Sequence, residues 1–207
     1  MASAGGNLGV PVSVRVKHFS LRAELFPVEY TVLGWPEDGP TLDLDHERFA
    51  YAGKFVMSST GKAVVRDGDE IVAAAAFDAD RTDEDCLRIR YVTVRLDRRG
   101  EGIGLSLLRF VVDRARDRGY DEVKAGVNNP IAYEAFYRAG LSYTGERTGL
   151  AELVCSTGAD RDGETYQAGF DIYRERDPSE RERAFLQSRA DSSPPAVVVS
   201  PARDDGE

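Results

Sequence analysis

The chain reads as one α/β domain built on a mixed, mostly antiparallel sheet of about six to seven strands, with helices on both faces. Three observations lead there. Residues 86–127 run strand, helix, strand, an order that closes as a right-handed parallel crossover. Hairpin signals on either side of that unit demand antiparallel neighbours. Ile71 to Phe77 is apolar at every position, as in a central strand covered on both faces.

The elements follow in order. Residues 1–11 are small and glycine-rich, the composition of a disordered start. Val12 to Val16 alternates apolar and polar residues as a strand does, and Glu29 to Leu33 is a second short strand. Thr41 to Ser58 is expected to be helical: Asp43 or Asp45 can cap it, Glu47 falls in its first turn and Gly61 follows its end. Lys62 to Arg66 and Glu70 to Asp78 flank Asp67-Gly68-Asp69 as the arms of a hairpin. Cys86 to Leu96 is a long strand. Gly102 to Arg118 is the clearest helix, with Ile103, Leu107, Leu108, Val111, Val112 and Ala115 on one stripe and Arg109, Asp113, Arg116 and Asp117 opposite. Gly119 stops it. Glu122 to Val127 is a short strand. Asn129 caps a helix that has Pro130 in its first position and ends before Gly140. Leu141 to Thr148, continuing in part to Cys155, and Thr165 to Arg174 read as late strands. Asp177-Pro178-Ser179-Glu180 opens a terminal helix over 179–190. Residues 191–207 have the composition of a disordered tail, so the folded domain is expected over 12–178.

Composition narrows the function classes. The chain has 207 residues, 36 acidic and 27 basic, for a formal net charge of -9. Lys17, Lys54, Lys62 and Lys124 are the only lysines. An acid-rich, lysine-poor, arginine-rich chain suits the high-salt cytoplasm of a halophilic archaeon, because a dense carboxylate surface resists association when charge is screened. A GC-rich genome that writes arginine for lysine gives the same bias. The acidity argues against a nucleic-acid surface, which wants clustered cations. Cys86 and Cys155 lack C-x-x-C spacing and read as reduced residues of a cytoplasmic protein. No export signal and no apolar run of membrane-spanning length stands out. His18 and His46 have no partners at ligand spacing, so no metal is expected.

Residues 92–104, Val-Thr-Val-Arg-Leu-Asp-Arg-Arg-Gly-Glu-Gly-Ile-Gly, carry most of the functional signal. A strand ends there, and a glycine-rich turn opens directly into the amphipathic helix. Such a turn presents bare N–H groups at the positive end of the helix dipole, a setting for a pyrophosphate. The dinucleotide pattern G-x-G-x-x-G fails in both registers, because Leu105 or Leu107 stands at the third glycine. A P-loop fails because Ala63 follows Gly61-Lys62. Arg-x-x-Gly-x-Gly fits, with Arg99, Gly102 and Gly104, Gly100 besides, and Val94 five residues before the arginine.

With that pattern the chain resembles the GNAT superfamily of N-acetyltransferases over roughly residues 60–148. Val94 to Gly104 matches the family's acyl-CoA signature without a gap. Asn129, Ala132, Gly140 and Leu141 match its second signature, in the right order. The resemblance implies the GNAT fold, with a parallel strand pair that splays apart, and acetyl-CoA as cofactor. Carried over, Val92, Thr93 and Val94 contact pantetheine through their backbone, and Arg99, Gly100, Glu101, Gly102, Ile103 and Gly104 surround the pyrophosphate. Asn129 reaches the cofactor arm from the other lip, with Phe136 further along the same helix.

The same resemblance implies transfer of an acetyl group to an amine by direct attack on the thioester. A backbone N–H near Val94 is the candidate oxyanion donor. Many family members use a tyrosine on the Asn-capped helix as general acid. Here that position falls on Phe136, leaving Tyr137, and less favourably Tyr133, as candidates. The strand before the loop carries no carboxylate, so the general base is not assigned. Glu84, Asp85, Glu146 and Glu152 lie near enough to consider, and a water chain is the alternative. Arg88 and Arg90 share a strand face, where they either read an acidic acceptor or pair with neighbouring acids. The expected partner is an amine on a small molecule or a peptide terminus, with a homodimer as a further expectation. Two other readings stay open: a catalytically silent acyl-CoA-binding module of the same fold, and a non-enzymatic interaction domain.

Overall fold

A computed structural model describes residues 28–149 and 151–201. The expected strand at Val12 to Val16 and the start at residues 1–11 lie outside them. A seven-stranded sheet runs through the molecule in the order β1-β2-β3-β4-β5-β7-β6. Its strands are β1 (Glu29–Gly34), β2 (Gly61–Asp67), β3 (Glu70–Ala79), β4 (Cys86–Val94), β5 (Glu122–Val127), β6 (Ser142–Arg147) and β7 (Leu153–Ser156). Only β4 and β5 pair in parallel. The helices are α1 (Ile103–Asp117), α2 (Pro130–Ala139), α3 (Gly163–Glu175) and α4 (Glu180–Ser188).

Side chains alternate across the central strands and divide the core in two. Ala63, Val65, Ala73, Ala75 and Phe77 face the helices. Val64, Ala74 and Ala76 face a second cluster with Leu42, Leu44, Phe49, Ala52 and Phe55. The stripe of α1 is buried as its spacing predicts, and each fully buried Leu or Val there contributes ~1.5–3 kcal/mol. Asn129 caps α2 by accepting the Ala132 N–H at 2.8 Å. Ser179 and Glu182 form a reciprocal capping box on α4.

Two of the expected elements change. Thr41 to Ser58 is no α-helix but a chain of turns with a single 3₁₀ turn at Ala52–Lys54. Its buried residues Leu42, Leu44, Phe49, Ala52 and Phe55 are spaced unevenly, so no single helical stripe covers the sheet. Instead the segment folds back on itself, with the Leu42 N–H donating to Phe55 O at 3.0 Å. Lys62 fastens it. That side chain is fully buried, and its ammonium reaches Pro40 O, Met57 O, Thr60 O and Thr60 Oγ1 at 3.1, 2.8, 2.7 and 2.6 Å. Burial lowers its pKa, yet all its donors are used. Thr165 to Arg174, expected as a strand, lies within α3. The strand-favouring Thr, Tyr, Phe and Ile hid a helical repeat in which Tyr166, Gly169, Phe170 and Tyr173 turn inward, and Asp162 caps it through the Thr165 N–H at 2.7 Å.

Residues 192–201, expected as part of a tail, lie along the domain. Gln167 Nε2 donates to Ser192 O at 2.7 Å, an Arg161 amino group to Pro195 O at 2.6 Å, and the Val198 N–H to Arg138 O at 2.8 Å. No described helix is long and apolar enough to cross a membrane.

Candidate active site

β4 and β5 pair only from Cys86 and Glu122 as far as Ile89 and Ala125. Beyond that, β4 continues to Val94 and β5 to Val127 without meeting. The separation begins at a bulge: Ala76 faces Tyr91 and Phe77 faces Ile89, so Arg90 is the extra residue of β4. A bulge bends its strand and increases the local twist. The result is a cleft of about 830 Å³ running between the two strand ends.

The ladder on the far side of β4 fixes what faces that cleft. The Arg95 N–H donates to Val72 O at 2.9 Å. Pairing continues in register through Thr93 with Ala74 and Tyr91 with Ala76. In an antiparallel ladder bonded pairs alternate, so Thr93 and Tyr91 spend their backbone groups on β3, and the backbone contact expected of Thr93 falls to its neighbours. The N–H and C=O groups of Val92 and Val94 are then aimed at β5, where no strand meets them. The Val94 carbonyl accepts from Arg99 Nε at 3.4 Å. Thr93 is 4% exposed, lines the cleft, and its Oγ1 has no hydrogen-bond partner.

The glycine turn closes one end. Gly100 and Gly102 have φ of 89° and 84°, a left-handed region that favours glycine. At Gly104 a Cβ would come within 3.0 Å of Val94 Cγ2, so glycine lets α1 start directly against β4. The first intrahelical donor is the Ser106 N–H, which reaches Gly102 O at 3.0 Å. The N–H groups of Gly102, Ile103, Gly104 and Leu105 precede it and are open to a ligand at the positive helix end. Arg99 is exposed and has no carboxylate partner among the described residues.

Most of the expected cofactor contacts come together here. Val92, Thr93, Val94, Arg99, Gly100, Gly102, Ile103, Gly104, Asn129 and Phe136 all line the cleft. Glu101 does not; its carboxylate is paired with Arg98 at 2.8 Å, and Arg98 also holds Asp67 at 2.7 Å. The two candidate tyrosines stand elsewhere. Tyr133 and Tyr137 are completely buried and stand among the core residues of α2, not in the cleft wall. The Tyr133 hydroxyl donates to Tyr166 O at 3.1 Å, and the Tyr137 oxygen accepts the Tyr143 N–H at 3.1 Å. Burial raises both pKa values. The helix is in register with the sequence reading, so Phe136 occupies the wall and Tyr137 points inward.

Among the carboxylates considered from sequence, Glu84, Asp85 and Glu146 are exposed and absent from the cleft wall, whereas Glu152 is in it. Arg88 and Arg90 pair with Asp80 and Asp78, the second pair at 2.6 Å. Their order on the strand mirrors that of the acids on β3. Asp83, Cys86 and Glu122 bring possible ligand atoms within 4.8 Å of one another. Burial pushes the Cys86 thiol up to about 11, Glu122 is tied to Lys124 at 2.7 Å, and Asp83 is exposed. Sequence reasoning did not find Tyr91, Arg181 or Phe185 in the cleft. Only Arg181 and Phe185 carried a signal, an i, i+4 pair on the terminal helix.

A fold with one splayed parallel pair and a glycine turn with open N–H groups at the following helix defines a class, and the comparisons agree with it. The model of the acetyltransferase (GNAT) family matches residues 22–141, and the chain belongs to that family. Among solved structures, a Bacillus subtilis acetyltransferase in complex with CoA is similar, with a TM-score of 0.50 and 12% identity, covering 62% of this chain and 97% of that one. A GNAT-family protein from Desulfovibrio desulfuricans has a TM-score of 0.47 and 17% identity, covering 62% of this chain and 97% of its own. No curated protein sequence matches.

Proposed function

We propose that the protein is an acetyl-CoA-dependent N-acetyltransferase. The observation that carries the reading is the continuity of open backbone donors, from Val92 and Val94 on the unpaired edge of β4 to Gly102 through Leu105 at the start of α1. That path suits a linear ligand with an amide-bearing arm and a diphosphate. The orphaned Thr93 hydroxyl supplies one further polar contact. The solved Bacillus subtilis acetyltransferase that holds CoA supports the choice of ligand.

In this reading Val92 and Val94 pair with the pantetheine arm as an added strand would. The N–H groups at the start of α1 and the Arg99 guanidinium hold the diphosphate. Acetyl-CoA brings an activated thioester, and the acceptor brings an amine, on a small molecule or a peptide terminus. Where the arm does not use it, the Val94 N–H is the candidate donor to the developing oxyanion. Neither Tyr133 nor Tyr137 supplies a proton to the departing sulfur, so solvent in the cleft does.

The burial of Tyr137 favours one other reading, a silent acyl-CoA-binding module. Calorimetric titration with acetyl-CoA, followed by thiol release with a panel of amines, separates the two. Binding with amine-dependent thiol release is expected. Binding without release on any amine supports the module, and no binding overturns both. The acid-rich, lysine-poor composition supports a high-salt cytoplasmic setting, so both assays belong in concentrated as well as dilute KCl.

A further inference from the structure

We infer that Glu152 is the proton acceptor for the attacking amine. The inference rests on the acetyltransferase reading and adds the group that activates the acceptor.

The two faces of the sheet separate the partners. Ala125 and Val127 of β5 and Leu153 of β7 pack into the helix-side core. Gly126 and Glu152 alternate with them and so belong to the opposite face. That face carries Tyr91, packed against the second cluster, and Tyr51, whose ring centroid is 6.2 Å from that of Tyr91. The helix start at Gly102 lies on the helix side. A cofactor anchored there reaches through the gap between β4 and β5, and the acceptor meets its end from the face of Glu152.

The glutamate is positioned. A Cβ on Gly126 would come within 2.6 Å of Glu152 Oε2, so the missing side chain is what lets the carboxylate lie against the β5 lip. Thr148 Oγ1 is 3.3 Å from Glu152 Oε2 and accepts the Glu152 N–H at 3.2 Å. The carboxylates of the cleft wall among the described residues are Glu134 and Glu152. Glu134 is held by Arg189, whose second contact is 3.0 Å. Glu152 has no cationic partner among the described residues. Gly126 directly follows the last β4–β5 pair, so its neighbour Glu152 stands across the gap from the bulged end of β4.

The step balances. Glu152 takes one proton from the acceptor ammonium, freeing the nitrogen lone pair. That nitrogen bonds to the thioester carbonyl carbon as the carbon–sulfur bond breaks, and the sulfur leaves with the bonding pair. The second nitrogen proton passes through water to the sulfur, and Glu152 returns its proton to solvent. One ammonium and one thioester give one amide, one thiol and one proton.

The test compares wild type with Glu152→Gln and Glu152→Asp on four acceptors: ethanolamine, spermidine, an alanyl peptide and hydroxylamine. The first three are ammonium ions at neutral pH, and hydroxylamine is mostly uncharged and needs no base. Glu152→Gln is expected to lose roughly 100-fold or more in kcat with the ammonium acceptors the wild type uses, in line with removal of a general base. It is expected to keep its rate with hydroxylamine and its affinity for acetyl-CoA by calorimetry. Glu152→Asp is expected to restore part of the loss. Equal loss on hydroxylamine and the ammonium acceptors, or no loss on either, would overturn the inference and leave the acetyltransferase reading standing. A wild type that uses hydroxylamine alone would overturn it too. Absence of acetyl-CoA binding by wild type would overturn the reading beneath it as well.

Discussion

The two sides of the cleft are built differently. The proposed cofactor side comes from one stretch, Val92 to Leu105, in which strand end, turn and helix start follow without a break. The proposed acceptor side is gathered from Tyr51 in the turn segment, Tyr91 on β4, Gly126 on β5 and Glu152 at the β6–β7 turn. Contiguity makes the first a matter of spacing, since a helix start and positive-φ glycines fix where the donors point. The second depends on sheet order, because Gly126 and Glu152 meet only once β7 has paired with β5.

The sharpest way to break this contrast is Gly102→Val. A β-branched residue at φ 84° strains the turn and moves the donors of α1. Acetyl-CoA affinity is expected to fall by roughly 100-fold or more, because misplaced amides no longer reach one diphosphate. Calorimetry reads it, and a melting curve checks that the domain is still folded.

On the acceptor side, Lys62→Ala tests whether the turn segment depends on its buried ammonium. Four acceptor atoms lose their donor, at a cost of about 3 kcal/mol or more in urea unfolding. Arg99→Ala removes one cation from the cofactor end and leaves the amides in place. It is expected to weaken acetyl-CoA binding about 10-fold, with a smaller salt dependence than wild type. The smallest kinetic effect is expected from Tyr137→Phe. Its hydroxyl faces the Tyr143 N–H in the core, so stability should drop by about 1 kcal/mol while kcat stays within about twofold. A large loss of kcat without a loss of stability would return Tyr137 to the chemistry.

The same division governs how much was legible in the sequence. β5 and α2 were readable to the residue, because Asn129, Pro130 and Gly140 mark their ends with local chemistry. So were the glycine turn and the hairpin at Asp67-Gly68-Asp69. The turn segment over 41–58 was misread because acidic caps and scattered apolar residues imitate a helix, while the lock that shapes it, Lys62, lies in another element. α3 was misread because aromatic and β-branched residues favour strands, and the deciding fact is a packing surface made by Tyr133 and Tyr137. Tyr137 was considered an acid from its place beside Phe136, but one helix position is ~100° of rotation, enough to exchange cleft for core. Glu152 was one of four acids near enough to consider, and nothing local singles it out, since Gly126 that makes room for it is on another strand.

The central claim is that particular amides bind the cofactor, and amide hydrogen exchange on titration with acetyl-CoA tests it residue by residue. Protection is expected at Val92, Val94 and Gly102 through Leu105, with Tyr91 and Thr93 unchanged because β3 already holds them. Exchange that slows at none of these amides, or slows equally at Thr93 and Tyr91, would contradict the account.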